Sequence, residues 1–318
     1  MISVSIIIPV YNVEQYIGRC LQSVMSQTYQ GEIECILVDD CGSDNSIRVA
    51  EDAIAQYTGP ISFLIVHHDV NKGLPAARNT GIRHVRRGRY LFFMDSDDYI
   101  SYLCIEKMVA CVERDSSIQM VIGNTLPVPS TEMNLRHHDL KYRNLPEKYM
   151  DNASIRKKFY DLQSSLPYYA WNKLINYDFL IRNNLFFREG LICNEDVHWT
   201  YFVYRKLECV AFLDDYTYMH VSNPGSIMHT VLERDNADSW AVVIDDFLNS
   251  LDADYFHSQF TYCFRRFRPW YMNFSDLSPY KKLYHRFLVI AFNNLELKIT
   301  AILCLMPVKV FIKRLLLR

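Results

Sequence analysis

Over the first 124 positions, short unbroken apolar runs alternate with stretches whose apolar residues recur at helical spacing. Val4–Val10 is the first run, ending in Pro9-Val10-Tyr11-Asn12; Glu14–Gln27 follows with Ile17, Leu21, Val24 and Met25 on one helical stripe. Ile33–Val38 is the second, stopped by Asp39-Asp40-Cys41-Gly42, and a helix is expected from about Asn45 to Tyr57. Ile61–Val66 is the third, and a helix is expected after Asn71-Lys72-Gly73. Tyr90–Met94 is the fourth, closed by Asp95-Ser96-Asp97-Asp98, with a helix expected over Tyr99–Cys111; Ile118–Gly123 is the fifth. Fully apolar strands alternating with helices predict an α/β fold whose central, mostly parallel sheet is covered on both faces. Ligands of such sheets bind beyond the carboxyl ends of the strands.

The pattern breaks at Thr125. Leu126-Pro127-Val128-Pro129-Ser130 reads as a loop, and polar sequence continues to about Met150. Helical stretches are expected around Ser154–Gln163 and Asp178–Asn183, a helix start at Asn194-Glu195-Asp196, and an apolar run at Cys209–Leu213. After Glu233 the chain reads as aromatic-rich helices. The division expected is a catalytic domain over 1–232, with halves 1–124 and 125–232, and a helical region over 233–318.

Composition narrows the classes. Half of the 318 residues are hydrophobic and 22% are charged, enough for a sizeable core. A net charge of -2 speaks against a general nucleic-acid binder. The nine cysteines are scattered without zinc-ligand spacing, and no secretory pattern opens the chain. The expectation is a reducing, cytoplasmic compartment with thiols that pack.

The chemistry lies at the strand ends. Asp95, Asp97 and Asp98 directly after a buried strand are three clustered carboxylates, unfavourable unless a cation compensates them. Carboxylate oxygens suit Mg²⁺ or Mn²⁺, which take one or two protein carboxylates and complete their shell with phosphate oxygens. The competing reading is a helix cap, although a cap needs one such residue. Asp39-Asp40 ends another strand at the same edge, where turn chemistry is the alternative. Lys72, Arg78 and Arg83 could balance a diphosphate, or simply face water.

Four segments in this order resemble glycosyltransferase family 2, whose catalytic domain has the GT-A fold. They are Val4-Ser5-Ile6-Ile7-Ile8-Pro9-Val10-Tyr11-Asn12, Leu37-Val38-Asp39-Asp40-Cys41-Gly42-Ser43-Asp44, Asn71-Lys72-Gly73-Leu74-Pro75-Ala76-Ala77-Arg78-Asn79, and Tyr90-Leu91-Phe92-Phe93-Met94-Asp95-Ser96-Asp97-Asp98. The resemblance is close over residues 3–115 and looser to about 230. It implies a sugar transfer from a nucleotide-sugar, UDP-linked by the family's habit, with Mn²⁺ or Mg²⁺ as cofactor. Pro9, Tyr11 and Glu14 would line the nucleotide pocket. Asp40 would accept from the base with Asp39 in support, and Lys72, Arg78 and Ser96 would contact the donor. Asp95 would face the ribose or a metal-bound water, and Asp97 would ligate the metal. Cys41 departs from the family, which often has Gly there.

Further on, Trp171-Asn172-Lys173-Leu174 and Asn194-Glu195-Asp196 resemble the acceptor half of bacterial members. Trp171, Lys173 and Glu195 would then face the acceptor, a saccharide or lipid-linked saccharide. Asp196 would be the base of an inverting, in-line displacement, because the attacking hydroxyl must lose its proton as the bond forms. Acid at a helix N-terminus, favoured by the helix dipole, is the alternative for Glu195-Asp196. Tyr218-Met219-His220 with Asn223-Pro224-Gly225-Ser226-Ile227 resembles the closing segment, in which His220 is a further candidate metal ligand. Trp171, Tyr168 and Tyr169 could stack on a sugar or serve the core.

Residues 298–318 hold five basic side chains and no acid among large apolars. That composition suits a helix lying in a lipid interface, here the inner face of the plasma membrane, or one docked on protein. The longest uncharged run, Ile299–Val308, is too short to span a bilayer. Two rivals remain in view. Leu91–Asp97 also resembles the haloacid-dehalogenase nucleophile motif of Mg²⁺-dependent phosphohydrolases, although that motif normally follows the first strand. A non-catalytic scaffold retaining the fold is the other.

Overall fold

The computed structural model describes residues 1–129, 149–160, 166–223 and 231–316, and divides into two compact units. The first comprises Met1–Arg156, Ser165–Leu191 and Glu195–His229. Its core is a parallel array of β1 (Val4–Val10), β2 (Ile33–Asp39), β3 (Ser62–His67) and β4 (Tyr90–Phe93), in the order β3-β2-β1-β4. All seven residues of β1 are buried, as a strand covered on both faces requires. The intervening helices are α1 (Ile17–Met25), α2 (Ser46–Ala55) and α3 (Leu74–Arg83). A Cβ at Gly81 of α3 would stand 2.3 Å from Ile7 Cγ2, so only glycine lets this helix sit so close to β1.

Beyond β4 the sheet becomes mixed. The remaining elements are β5 (Tyr99–Ile100), α4 (Cys104–Arg114), β6 (Met120–Val128), β7 (Tyr149–Asp151), α5 (Asn152–Tyr160), β8 (Lys173–Asn176), α6 (Tyr177–Arg182), α7 (Glu195–Lys206) and β9 (Cys209–Val221). The strand order is β3-β2-β1-β4-β8-β6-β9-β5, with β7 also on β9. The fifth apolar run, now β6, does not pair with β4. Instead β8 is inserted antiparallel to both β4 and β6. Four residues that include Lys173 and Asn176 carry too little periodicity to announce a central strand.

Two further expectations are corrected. Tyr99 and Ile100 do not open a helix; they pair with Met219 and Tyr218 of β9, and the helix starts at Cys104. The segment from Leu126 is not a loop at its start: β6 runs on to Val128, parallel to β9. Pro127 is tolerated because β8 pairs β6 only at residues 120–122, leaving that side of the strand open where proline lacks its N–H. Most of the polar stretch that follows, and residues 161–163 of the expected helix, lie outside the described residues.

The second unit comprises Lys157–Ser164, Ile192–Asn194 and Thr230–Arg318. It carries α8 (Glu233–Asn249), α9 (Phe256–Phe274), α10 (Ser278–Asn293) and α11 (Leu297–Leu316). Its core is aromatic: Phe287 stacks on Phe267 at 4.6 Å and meets Phe260 and Phe264 at 5.4 and 5.8 Å. The buried Gln259 amide donates to the Tyr160 hydroxyl and to Asp252 and accepts from the Asp252 N–H, which satisfies its polar atoms. Helix α11 buries Ile299, Leu303, Met306 and Val310, while Leu297 and Leu305 are exposed. No helix among the described residues is long and apolar enough to cross a membrane.

Two helices end in the same motif with different residues at its left-handed position. After α6, Leu185 N–H bonds Leu180 O and Asn184 N–H bonds Ile181 O, with Asn184 at φ 51°. After α10, Glu296 N–H bonds Ala291 O and Leu295 N–H bonds Phe292 O, with Leu295 at φ 55°. Glycine or asparagine is the usual occupant of this position, and leucine there is strained. Leu295→Asn is therefore expected to raise stability by about 1 kcal/mol. Scanning calorimetry should show a higher Tm; a lower one would mean that the leucine contributes packing worth more than its strain.

Candidate active site

The parallel register brings the ends of β1, β2 and β4 to one edge. Val10 pairs with Asp39, and Asp40 N–H bonds Val10 O at 3.0 Å. Pro9 lies buried in β1, whereas Tyr11 is 46% exposed just beyond it. The exposed Glu14 accepts from the Asn45 N–H at 3.1 Å, joining the first two loops. Asn12, at φ 51°, accepts the Ser43 N–H at 2.8 Å, and a Cβ at Gly42 would fall 3.0 Å from its Oδ1. A side chain at 42 would therefore have to displace Asn12. Cys41 is left-handed at φ 58°, a conformation that favours glycine, and keeps the loop path nonetheless.

The two acids of β2 are held differently. Asp39 is half-buried, accepting the Cys41 N–H at 3.1 Å and lying 2.9 Å from His67 Nδ1. Asp40 is buried. Its Oδ1 meets His68 Nδ1 at 2.7 Å and the Lys72 N–H at 2.8 Å, and its Oδ2 accepts the Gly73 N–H at 2.8 Å. Asp40 therefore pins the 71–73 loop that leads into α3, while the Lys72 side chain stays exposed. His68, which no sequence pattern singled out, completes this clamp by reaching Thr80 Oγ1 at 2.9 Å.

The acids after β4 separate into three roles. Asp95 Oδ1 takes the Arg78 guanidinium at 2.8 Å. Buried Ser96 follows. Asp98 is buried and accepts the Val221 N–H and the Tyr218 hydroxyl, each at 2.7 Å, with His220 Nδ1 at 3.3 Å. Tyr218 in turn accepts the Asp95 N–H at 3.0 Å, so one hydroxyl ties both ends of the Asp95–Asp98 turn to β9. Asp97 is left as the acid with the lightest engagement: its Oδ2 accepts from Asn223 at 2.9 Å. Burial, then Asp98 and Asp95, push the Asp97 carboxyl up to about 6. The Asp98 hydrogen bond raises His220.

Arg78, almost fully buried in α3, is the hub that joins the two halves. Its Nη2 holds Asp95 and its Nη1 holds Glu195 at 2.9 Å, across 117 residues of sequence. Phe187 lies 5.2 Å from the guanidinium and stacks on Trp199 at 4.8 Å. The Asn79 side chain fixes that wall by bonding both the Phe187 carbonyl, at 2.9 Å, and its N–H, at 2.8 Å. Glu195 is buried on Arg78, whereas neighbouring Asp196 is only half-buried. Asp196 Oδ1 accepts its own helix's Val197 N–H at 2.7 Å. Burial raises both carboxyls, with repulsion from Asp196 adding to Glu195 and repulsion from Asp95 adding to Asp196.

Lys173 is fully buried and donates to the Tyr169 carbonyl, with its ammonium 4.3 Å from the Tyr169 ring centroid. Burial holds it well below the usual lysine range. Trp171 stacks on Tyr169 at 3.6 Å and on Tyr218 at 4.5 Å, with His220 at 5.3 Å. Between them Asn172, at φ 56° and buried, donates to Gly123 O and Asn124 O and accepts the Thr217 hydroxyl at 2.7 Å. The sequence nominated neither Asn172 nor Tyr218 for the site, although both sit inside segments that it quoted. Asn223 likewise carried no role until its contact with Asp97.

A family model described as glycosyl transferase family 2 matches residues 5–173, more than half of the chain. The chain belongs to glycosyl transferase family 2. Among curated relatives it is 31% identical over 229 residues to the uncharacterized glycosyltransferase EpsJ of Bacillus subtilis, over 70% of this chain and 62% of that protein. It thus spans less than two thirds of that relative's length. Among solved structures, Staphylococcus aureus TarS 1-349 in complex with UDP-GlcNAc aligns with a TM-score of 0.64 at 20% identity, over 86% of this chain and 73% of that 1-349 chain. The mannosyltransferase PcManGT of Pyrobaculum calidifontis, in complex with GDP-Man and Mn²⁺, aligns at 0.56 and 14% identity, over 98% and 86%. These likenesses give the first unit the GT-A fold of its family. Asp95, which the phosphohydrolase reading would make a nucleophile, is bound to Arg78.

Proposed function

We propose that this protein transfers a sugar from a UDP-sugar to a hydroxyl of a saccharide or lipid-linked saccharide, with inversion, using Mn²⁺ or Mg²⁺. The observation that carries the reading is the sorting of the clustered acids. Asp95 and Glu195 are both bound by Arg78 and Asp98 is bonded to β9, while Asp97 and Asp196 have no fixed cation in hydrogen-bonding contact among the described residues. The first belongs to a segment that the family resemblance would give to the donor, and the second stands in the first turn of α7, which it would give to the acceptor.

The residues present fit a divalent cation. The Asp97 carboxyl is raised first by burial and then by the neighbouring Asp98 and Asp95, a charge that a bound cation would offset. His220 turns Nδ1 to Asp98, which leaves Nε2 as a ligand in the carboxylate–histidine arrangement common at metal sites. Among the described residues no three His, Cys, Asp or Glu side chains form a complete cage. That accords with an ion which completes its shell with phosphate oxygens. Asp97 would hold the ion, with Asp95 and His220 beside it; when bound, it would neutralise charge developing on the departing diphosphate.

The chain's own residues would do the rest. Pro9, Tyr11 and Glu14 would border the nucleotide, with Asp39 beside them, while Asp40 would keep the 71–73 loop, and so Lys72, in place. Ser96 would contact the donor at the turn after β4. Arg78 would hold Asp95 and Glu195 in register rather than reach the sugar itself. Asp196 would take the acceptor hydroxyl's proton as its oxygen attacks the anomeric carbon and UDP leaves from the opposite face. Trp171 would shape the acceptor side, and Lys173 would support it by holding the Tyr169 carbonyl.

Calorimetric titration with UDP, with and without Mn²⁺, tests this reading. Binding is expected to appear or tighten with the metal, and Asp97→Ala to remove the metal's effect. Because the metal must displace a proton from a carboxyl at about 6, the metal-dependent affinity should fall as pH drops below that value. A loss of about tenfold per pH unit corresponds to one displaced proton. No binding of UDP, GDP or dTDP in either condition would favour a scaffold.

A further inference from the structure

The second unit carries an apolar protrusion that neither its core nor the transfer chemistry uses. At the turn between α10 and α11, Phe292, Leu295 and Leu297 are 75%, 79% and 75% exposed. Three large apolar side chains within six residues, each standing off the surface, exceed the scattered exposure normal for soluble proteins. Leu295 also occupies the left-handed position of the helix-ending motif, where asparagine serves the equivalent turn after α6. A strained residue that gains no burial implies a use outside the folded unit.

Charge indicates the occupant. Lys298, Leu305 and Lys309, at spacings of seven and four, share the exposed face of α11, opposite the buried stripe from Ile299 to Val310. The acid of the turn is withdrawn: the Glu296 carboxylate is 11% exposed and pairs with His257 at 2.7 Å. From Leu297 to Arg318 the sequence contains no acid and five basic residues. A protein partner would need a pocket shaped for each protruding side chain. A lipid interface accepts protruding apolar groups of any shape and draws basic groups to anionic headgroups.

We propose that the α10–α11 turn inserts Phe292, Leu295 and Leu297 into an anionic lipid surface, with Lys298 and Lys309 meeting its headgroups. This inference does not depend on the donor or the metal. The test is flotation of the full chain with vesicles of phosphatidylcholine alone and of phosphatidylcholine mixed with phosphatidylglycerol. The parent protein should float with the mixed vesicles and release as salt rises. Phe292→Ser, Leu295→Ser and Leu297→Ser combined should weaken flotation by roughly tenfold or more, and Lys298→Glu with Lys309→Glu should weaken it at low salt only. All the substituted sites are exposed, so unchanged melting and UDP titration would show that fold and transfer site are intact. Equal flotation with both vesicle types would overturn the anionic assignment, and no flotation of the parent, or undiminished flotation of the triple variant, would overturn the insertion. If the parent ignores both vesicles and light scattering shows that the triple variant dissociates a dimer, the turn is a contact between copies and the lipid proposal falls.

Discussion

Asp196→Asn is expected to lower the transfer rate by about 10²–10⁴, the usual contribution of a positioned general base. The substitution keeps the size of the side chain and an oxygen that can accept the Val197 N–H, so the start of α7 should survive. UDP affinity with Mn²⁺ should be unchanged, since the proposed base serves the acceptor. The pH profile supplies a second readout. Burial, with neighbouring carboxylate repulsion, raises the Asp196 carboxyl. A raised acid is still protonated where an ordinary aspartate has ionised, so the wild-type rate should climb with pH above the ordinary range. The Asn variant should lack that limb. Retention of most of the wild-type rate by Asp196→Asn would remove Asp196 from the chemistry, and a parallel loss of UDP binding would make its role structural.

The second large effect concerns stability. Arg78→Met should cost about 3–5 kcal/mol, because it leaves Asp95 and Glu195 facing each other's charge without their shared cation. Urea denaturation measures it. The sign with pH follows from Glu195: burial already raises its carboxyl against the lowering effect of Arg78, so losing the guanidinium would raise it further above its unfolded value. Protonation would then relieve the cost, so the variant's deficit should be smaller near pH 5 than near pH 8. Arg78→Lys should recover little, since one ammonium cannot reproduce a fork that bonds Asp95 and Glu195 separately. A loss below about 1 kcal/mol would mean that water compensates both carboxylates and that the hub is exposed in solution.

Some of this was written in local sequence. The unbroken apolar runs of β1, β2 and β4 call for strands covered on both faces, and intervening amphipathic helices supply the cover. In a parallel array the ends of such strands must reach one edge, so Asp39-Asp40 and Asp95–Asp98 could be placed together before any coordinate was known. The carboxylate cluster was visible for the same reason: acids stood directly after residues that had to be buried. The C-terminal composition likewise marked a helix with apolar and basic character. It did not separate the side that packs, Ile299 to Val310, from the one that stays exposed with Leu305.

What each acid does was decided elsewhere. Asp98 looks no different from Asp97 in sequence, yet it is consumed by Val221, Tyr218 and His220, which lie 120 to 123 residues away. Glu195 and Asp196 are adjacent in the chain, and one is buried on Arg78 while the other is half-buried and bonded to its own helix. Those partnerships depend on strand order, above all on β8 lying between β4 and β6, and on β9 reaching β5. Periodicity reports whether a segment is covered, not which segment covers it, because burial is favourable against any apolar surface and carries no direction. Hydrogen bonds and ion pairs do have direction, but across 117 residues they form only after the sheet has set the distance. The residue types at the strand ends were therefore a property of the sequence. Which carboxylates remain free to meet a cation or a hydroxyl was settled by the tertiary structure, because only there does each acid acquire a particular neighbour.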